Sequence, residues 1–287
     1  MTLRAGFVGL GNIGKAMALR LPRAGLETSV YDIVPGPVQE LVAGGAKGAA
    51  SPREVTAASD VVGVCVQTDA QVRTVLEGDD GILAAAKPGL LVIVHSTILP
   101  ASMEGFAALA AKRGVELIDG CVSGSPRLPD PKFKLFVGGE AAQLARIRPY
   151  LTAIAEDRVI HTGPLGSGAK AKICVNLITY FQWAAAFESY SLARAVGLPA
   201  EVYEQVGRSN GQLTELMIQY LGTLKMPDAM RSSPDMQTYL RTNMHVAEKD
   251  LACALDLARA AGIALPGAGL ISQLMARIYA VDDPKRR

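Results

Sequence analysis

Gly168, Lys172 and Asn176 follow one another at four-residue spacing within Gly163-Pro-Leu-Gly166-Ser-Gly168-Ala-Lys-Ala-Lys172-Ile-Cys-Val-Asn176. On a helix that spacing puts the amine and the amide on one face, a turn apart. A helix that opens on glycines lets another backbone or a ligand come close to its first turn. An amine there can give or take a proton, and an amide offers both donor and acceptor. The pair suits a small oxyacid whose hydroxyl has to be oriented and deprotonated. An isolated lysine titrates near ~10.4 and is a poor base at neutral pH. Lys172 therefore needs burial, a positively charged ring or a second cation such as Lys249 beside it. Lys170 lies about 200° round the helix from Lys172, so the two cannot serve one site.

A second glycine group, Phe7-Val-Gly9-Leu-Gly11-Asn12-Ile13-Gly14, follows a β-branched run and opens a helical pattern. Gly9 makes the tight turn, Gly11 lets backbone approach a pyrophosphate, and Gly14 lets helix pack on strand. The pyrophosphate would lie on free N–H groups of the helix N-terminus, with Asn12 and Ile13 in the first turn. Asp32 stands 21 residues after Gly11, at the end of Ser29-Val-Tyr-Asp32. A carboxylate at that point grips the ribose hydroxyls of an adenosine and repels a 2′-phosphate. Residues 33–38 contain no Arg or Lys to hold such a phosphate. NAD is the expected cofactor, in preference to NADP.

The elements that carry these residues are legible from periodicity. Strands are expected at Ala5–Val8, Thr28–Tyr31, Asp60–Val66, Leu90–His95, Val115–Ile118, Lys134–Val137 and Arg158–His161. Helices are expected between them, near Ile13–Ala24, Pro37–Ala43, Ala70–Leu76, Pro100–Arg113 and Ala141–Arg148. This alternation predicts an α/β fold with a parallel, doubly wound sheet of Rossmann type over residues 1–162. Strand signals then stop. A helical pattern from Gly168 to Val196 forms a long interdomain helix (residues 163–196), followed by an all-α C-terminal domain over 197–287 that shapes substrate binding and oligomerisation. Its helices are expected near Ala200–Arg208, Gln212–Leu221, Met236–Ala261 and Ala268–Ala280, with Lys225–Pro234 as a loop or cover. Apolar residues on several faces of the long helix (Ile173, Leu177, Tyr180, Phe181, Trp183, Phe187, Leu192) call for cover on more than one side. A homodimer or homotetramer through that helix and the C-terminal domain follows as an expectation.

Composition narrows the function classes. Among 287 residues, 49% are hydrophobic and 20% charged, which supports a sizeable core rather than disorder. The formal charge is +2 with Lys and Arg scattered, which argues against nucleic acid as a partner. Cys65, Cys121, Cys174 and Cys253 lie far apart and read as reduced, mostly buried thiols of a cytoplasmic protein. His95, His161 and His245 are too dispersed to suggest a metal site. Met1-Thr-Leu-Arg leads straight into a strand with no secretory signal pattern. The longest apolar run, Ile173 to Phe187, is interrupted by Asn176, Thr179 and Gln182, which fits a core helix better than a membrane span.

Taken together, Gly6 to Gly14, Asp119-Gly-Cys-Val-Ser-Gly-Ser125, Gly163 to Asn176 and Glu248-Lys-Asp-Leu-Ala252 make the chain resemble the β-hydroxyacid dehydrogenase family. That group includes 3-hydroxyisobutyrate dehydrogenase and tartronate semialdehyde reductase, and the resemblance spans nearly the whole chain. It implies a small hydroxy acid interconverted with its semialdehyde or keto acid by hydride transfer. Lys172 matches the catalytic lysine and Asn176 the substrate-binding asparagine. Ser123 and Gly124 match the loop that holds the substrate carboxylate. Thr97 matches a residue beside the nicotinamide, and Lys249 a lysine that closes over the cofactor. The sequence departs from the family in Val175 before Asn176, in Gly-Cys for Ala-Pro after Asp119, in the proline-rich Pro126–Lys132, and in His95 where an aspartate is common. These departures bear on the substrate more than on the reaction. An imine reductase-like enzyme and a non-catalytic dinucleotide-binding scaffold are the alternatives, and Lys172 argues against both.

Overall fold

Short apolar runs between helix-forming segments build, in the computed structural model, two compact units that divide at Lys172 and Ile173. Residues 3–124 and 132–283 are described. In the first unit β1 (Ala5–Val8), α1 (Asn12–Ala18), α2 (Arg20–Arg23), β2 (Thr28–Tyr31), α3 (Pro35–Ala43), β3 (Lys47–Gly48) and α4 (Pro52–Ala57) come first. Next are β4 (Val61–Val64), α5 (Asp69–Glu77), β5 (Leu91–Val94), α6 (Pro100–Ala111), β6 (Glu116–Ser123), β7 (Lys134–Gly138), α7 (Ala141–Arg146), α8 (Arg148–Ala155) and β8 (Val159–Gly163). The strands form one sheet in the order β3-β2-β1-β4-β5-β6-β7-β8. β1, β4 and β5 are buried at every position, as their unbroken apolar sequences require of parallel strands covered on both faces.

The sheet departs from a wholly parallel one at β7, which runs antiparallel to β6. β3 and α4 had no sequence signal, because two strand residues and six helical ones are too short for a period. The helix expected at Ile13–Ala24 is two pieces. α2 starts afresh at Arg20, so Pro22 falls in a first turn, where its missing N–H costs nothing. The same logic splits Ala141–Arg148, with a proline in the opening turn of α8.

α9 (Ser167–Ala195, 29 residues, about 43 Å long) leads into the second unit. That unit comprises most of α9 with α10 (Ala200–Ser209), α11 (Glu215–Leu224), α12 (Asp228–Arg231), α13 (Pro234–Ala260) and α14 (Pro266–Ile278). α12 lies inside the segment expected to be a loop. Half-buried Trp183 packs against the core of this unit, its ring stacked on Tyr220 at 5.4 Å and edge-on to Tyr279 at 5.3 Å and Tyr180 at 5.9 Å. α9 keeps apolar side chains on its surface, with Ile178 59% and Leu192 65% exposed. No described helix is long and apolar enough to cross a membrane, and no cluster of metal-ligating residues occurs among the described residues.

Candidate active site

β1 through β6 run parallel wherever they pair, so their C-terminal ends share one edge of the sheet. Gly9 follows β1 with φ +92°, a conformation open to glycine, and a Cβ there would overlap the Cys65 carbonyl. Gly14, buried in α1, would carry a Cβ into the Gly9 carbonyl. Gly11 caps α1 without a side-chain hydrogen bond, and a Cβ on it would meet no atom within 4 Å. That is open space over uncapped N–H groups, the shape and polarity a pyrophosphate needs. Asp32, at the end of β2, accepts from the Leu10 and Val34 amides, the latter at 2.8 Å. Each oxygen keeps a second lone pair for a ribose hydroxyl. Exposed Ile33 and Val34 beside it offer an apolar surface to a base. The residues present therefore fit NAD.

Further along this edge His95-Ser-Thr97 leaves β5, and β6 continues past it from Asp119 to Ser123-Gly124. β2 and β6 lie four strand spacings apart, ~19 Å across the sheet, and Ser123 lies four residues beyond the Asp119–Val94 pair at this edge, room for an extended dinucleotide with a substrate at its end. Gly124 has φ +145°, and a Cβ there would lie 2.9 Å from Phe133 Cδ1. Ser96 Oγ accepts from the Val66 amide at 2.9 Å, tying the β4 and β5 ends together. Thr97 is half-buried, within the same loop. Ser125 and most of Pro126–Lys132, expected to shape the substrate pocket, lie outside the described residues.

His95, where the resemblance implies an aspartate, is a buried, neutral ring. Its Nδ1 lies 2.6 Å from the Gly120 carbonyl oxygen and its Nε2 2.9 Å from Tyr150 Oη. A carbonyl can only accept, so Nδ1 carries the proton and Tyr150 donates to Nε2. The ring lies between Phe7 and Tyr150, stacked at 5.7 and 5.9 Å. Burial lowers its pKa from 6.5 to about 4, against the opposing hydrogen bond to Gly120. The unfolded chain thus binds a proton at His95 between those values that the folded chain does not. The stability this contributes is full above pH ~6.5 and falls as pH drops toward 4, by up to about 3 kcal/mol. Urea unfolding of the native protein and of His95→Asn should show a stability gap at pH 7 that narrows by about 2–3 kcal/mol at pH 4.5. A gap that does not change with pH would rule out a buried neutral ring.

Lys172 is half-buried on α9 and Lys170 is exposed, as the 200° offset requires. The start of α9 is held by a residue to which sequence reasoning gave no role. Asp119, fully buried on β6, accepts from the Gly166 amide at 2.6 Å and the Ala169 amide at 2.7 Å. Burial raises its pKa, and these backbone bonds oppose the shift.

Asn176, one turn beyond Lys172 on α9, belongs to a polar cluster of the second unit that sequence reasoning saw only in part. Asn176 Nδ2 donates to Asp250 Oδ2 at 2.6 Å, and Tyr180 Oη donates to the same oxygen at 2.8 Å. Lys249 Nζ lies 2.7 Å from Asp250 Oδ1. Lys249 is thus paired within its own helix, which offsets the charge expected to act as a second bare cation. Asp250 is 3% exposed and shares the buried face of α13 with Ala247, Leu251 and Ala254. An acid on an apolar stripe was the signal available for it. In the C-terminal domain expected to shape substrate binding, Met217, Tyr220 and Leu221 are core residues. Two cysteines, Cys121 and Cys253, are buried and Cys174 is exposed, so the expectation of mostly buried thiols holds only in part.

Comparison with known proteins places this geometry among relatives. Residues 4–163 match the family model described as the NAD-binding domain of 6-phosphogluconate dehydrogenase. Residues 166–286 match the model of the NAD-binding region of NADP-dependent 3-hydroxyisobutyrate dehydrogenase. The chain is 30% identical to 2-(hydroxymethyl)glutarate dehydrogenase of Eubacterium barkeri, over 95% of this chain and 88% of that one. It is 33% identical to the NAD-dependent L-serine dehydrogenase of Pseudomonas aeruginosa, over 93% and 89%. A crystal structure of 3-hydroxyisobutyrate dehydrogenase from Salmonella typhimurium superposes with a TM-score of 0.82 at 29% identity, covering 96% of this chain and 93% of that one.

Proposed function

The chain belongs to the β-hydroxyacid dehydrogenase family of NAD(P)-dependent oxidoreductases, and on that premise we propose that it oxidises a 3-hydroxy acid bearing a primary alcohol, HOCH2–CHR–COO⁻, to its semialdehyde, and runs the reverse reduction. 2-(Hydroxymethyl)glutarate, L-serine and 3-hydroxyisobutyrate, which name the three relatives, share that unit and differ only in R. One observation carries the reading. Asp32, the Gly9–Gly14 turn and Thr97 succeed one another along one sheet edge, β6 runs on from that edge to Ser123-Gly124, and the helix that bears Lys172 starts against β6 at Asp119.

NAD, when bound, supplies the hydride acceptor, with Gly9, Gly11, Asn12, Ile13 and Gly14 on its pyrophosphate, Asp32 on its ribose, and Thr97 and Lys249 toward its nicotinamide end. Backbone N–H groups about Ser123 and Gly124 hold the substrate carboxylate without adding charge. Lys172 takes the hydroxyl proton during oxidation and returns it during reduction. Asn176 orients the hydroxyl through its amide. The absorbance of NADH at 340 nm, followed with 3-hydroxyisobutyrate, L-serine and 2-(hydroxymethyl)glutarate, tests the reading. Turnover of one or more supports it, and no turnover of any 3-hydroxy acid would falsify it. Asp32→Asn is expected to weaken NAD binding about 10-fold and to narrow the NAD over NADP preference, since one charge-assisted bond to ribose and the repulsion of a 2′-phosphate both go. Fluorescence titration with each cofactor measures both effects.

The exposed apolar residues of α9, Val175, Ile178, Phe181 and Leu192, support a homo-oligomer, a dimer or tetramer, packed through this helix and its neighbours. Light scattering reads the state directly. Four unbridged cysteines support a cytoplasmic location.

A further inference from the structure

We propose that Asp119 is the positioning residue that seats the lysine-bearing helix against the strand of the carboxylate loop, an inference that rests on the roles given above to Lys172 and Ser123-Gly124. Asp119 lies on β6, four residues before Ser123 and paired across the sheet with Val94 on one side and Gly138 on the other. Its two carboxylate oxygens take two different amides of one helix start. Oδ1 accepts from Gly166, just before α9, and Oδ2 from Ala169, in its first turn. One bond would leave the helix free to pivot about it. Two bonds, three residues apart, fix both its height and its rotation on β6. Lys172 follows Ala169 by three residues, ~4.5 Å along the axis, so its origin is set relative to Ser123 by this one carboxylate.

The surroundings are built to the same fit. Gly168 faces the carboxylate so closely that a Cβ on it would lie 2.7 Å from Asp119 Oδ2 and overlap the Phe136 carbonyl. Ser167 Oγ and Thr162 Oγ1, 2.8 Å apart, join the helix start to β8. The helix N-terminal N–H groups need acceptors when buried, and a buried carboxylate needs donors. Each meets the other's need.

A cap that served stability alone would change how much protein folds, not how fast the folded protein turns over. A seat for Lys172 makes a different prediction, because a displacement on the order of 1 Å in a reacting group costs about 100-fold in rate. Asp119→Asn turns one oxygen into a donor that faces an N–H. Gly168→Ala keeps the carboxylate and wedges the helix away from it. Each enzyme is titrated with NADH to count cofactor-competent sites, and kcat is normalised to that count. We expect kcat to fall about 10- to 100-fold in each variant, with KM for the hydroxy acid little changed. The primary isotope effect on kcat, with deuterium on the oxidised carbon, should rise as the chemical step slows. The double variant should be no slower than the slower single one, because both changes break one seat. A normalised kcat and isotope effect equal to those of the native enzyme overturn the proposal, as does an additive loss in the double variant. If Asp119→Asn does not fold, Gly168→Ala decides alone. Native turnover in Lys172→Ala would instead overturn the reading of the site itself.

Discussion

Lys172→Ala is expected to lower turnover by about 1000-fold or more while leaving the dissociation constant for NADH within about twofold of the native value. The size follows from the scarcity of substitutes. Among the described residues of the site, Ser123 and Asn176 do not titrate near neutrality. His95 is no substitute, because both its nitrogens are engaged, by Gly120 and Tyr150, and its pKa is held at about 4. Asp119 has its oxygens committed to the amides of Gly166 and Ala169. Loss of the amine therefore leaves the hydroxyl proton to water or to Lys249, whose ammonium is held by Asp250. The cofactor contacts expected of Gly9 to Gly14 and Asp32 lie on other elements and should survive. Lys172→Arg separates charge from proton transfer: the guanidinium keeps the positive charge but does not give up a proton in this pH range. It should bind substrate and remain as slow as the alanine variant. Stopped-flow absorbance at 340 nm under single-turnover conditions reads the chemical step free of product release. A chemical step within tenfold of the native rate in Lys172→Ala would remove the lysine from the mechanism.

What the sequence made visible divides by range. The Gly9-Gly11-Gly14 turn, the strand before it and the acid after it are local. Their spacing alone located them, and the strands around them emerged within a residue or two. The long helix was read as Gly168–Val196 and runs Ser167–Ala195, because nothing inside it breaks a 3.6-residue period. Elements that lack a period stayed hidden: the two-residue β3, the six-residue α4 and the four-residue α12. So did strand direction, since β7 has the same apolar texture whichever way it runs. Site residues followed the same division. Lys172 and Asn176, proposed for the site, are brought together by spacing along one helix. Asp119, His95 with Tyr150, and Asp250 with Tyr180 act through partners 47, 55 and 70 residues away, distances no local pattern spans. Each is a polar group inside an apolar stretch, and that mismatch is the trace tertiary structure leaves in a sequence.

Asp250→Ala should raise KM for the hydroxy acid severalfold and lower folding stability by about 2–3 kcal/mol, with a smaller fall in kcat. The carboxylate accepts from Asn176 and Tyr180 through one oxygen and faces the Lys249 ammonium at 2.7 Å through the other. Its bond to Asn176 Nδ2 settles which way the amide points, leaving Oδ1 and the second N–H for a ligand. Without it the amide can flip, and a hydroxy acid meets the right face part of the time only. The Tyr180 hydroxyl is buried too, and burial with the nearby carboxylate holds its pKa well above 10, so it remains a donor that needs an acceptor. Losing the charged partner of these buried donors also costs about 2–3 kcal/mol of folding stability, with or without substrate. Asp250→Asn keeps the shape and one acceptor oxygen, so it should recover part of the KM and little of the Lys249 pairing. The sole tryptophan gives an internal check. Trp183 sits 5.9 Å from the Tyr180 ring, so its emission should shift in Asp250→Ala if the tyrosine moves. An unshifted emission with a native KM would mean that Asn176 is oriented by its own helix and that Asp250 serves only to neutralise Lys249.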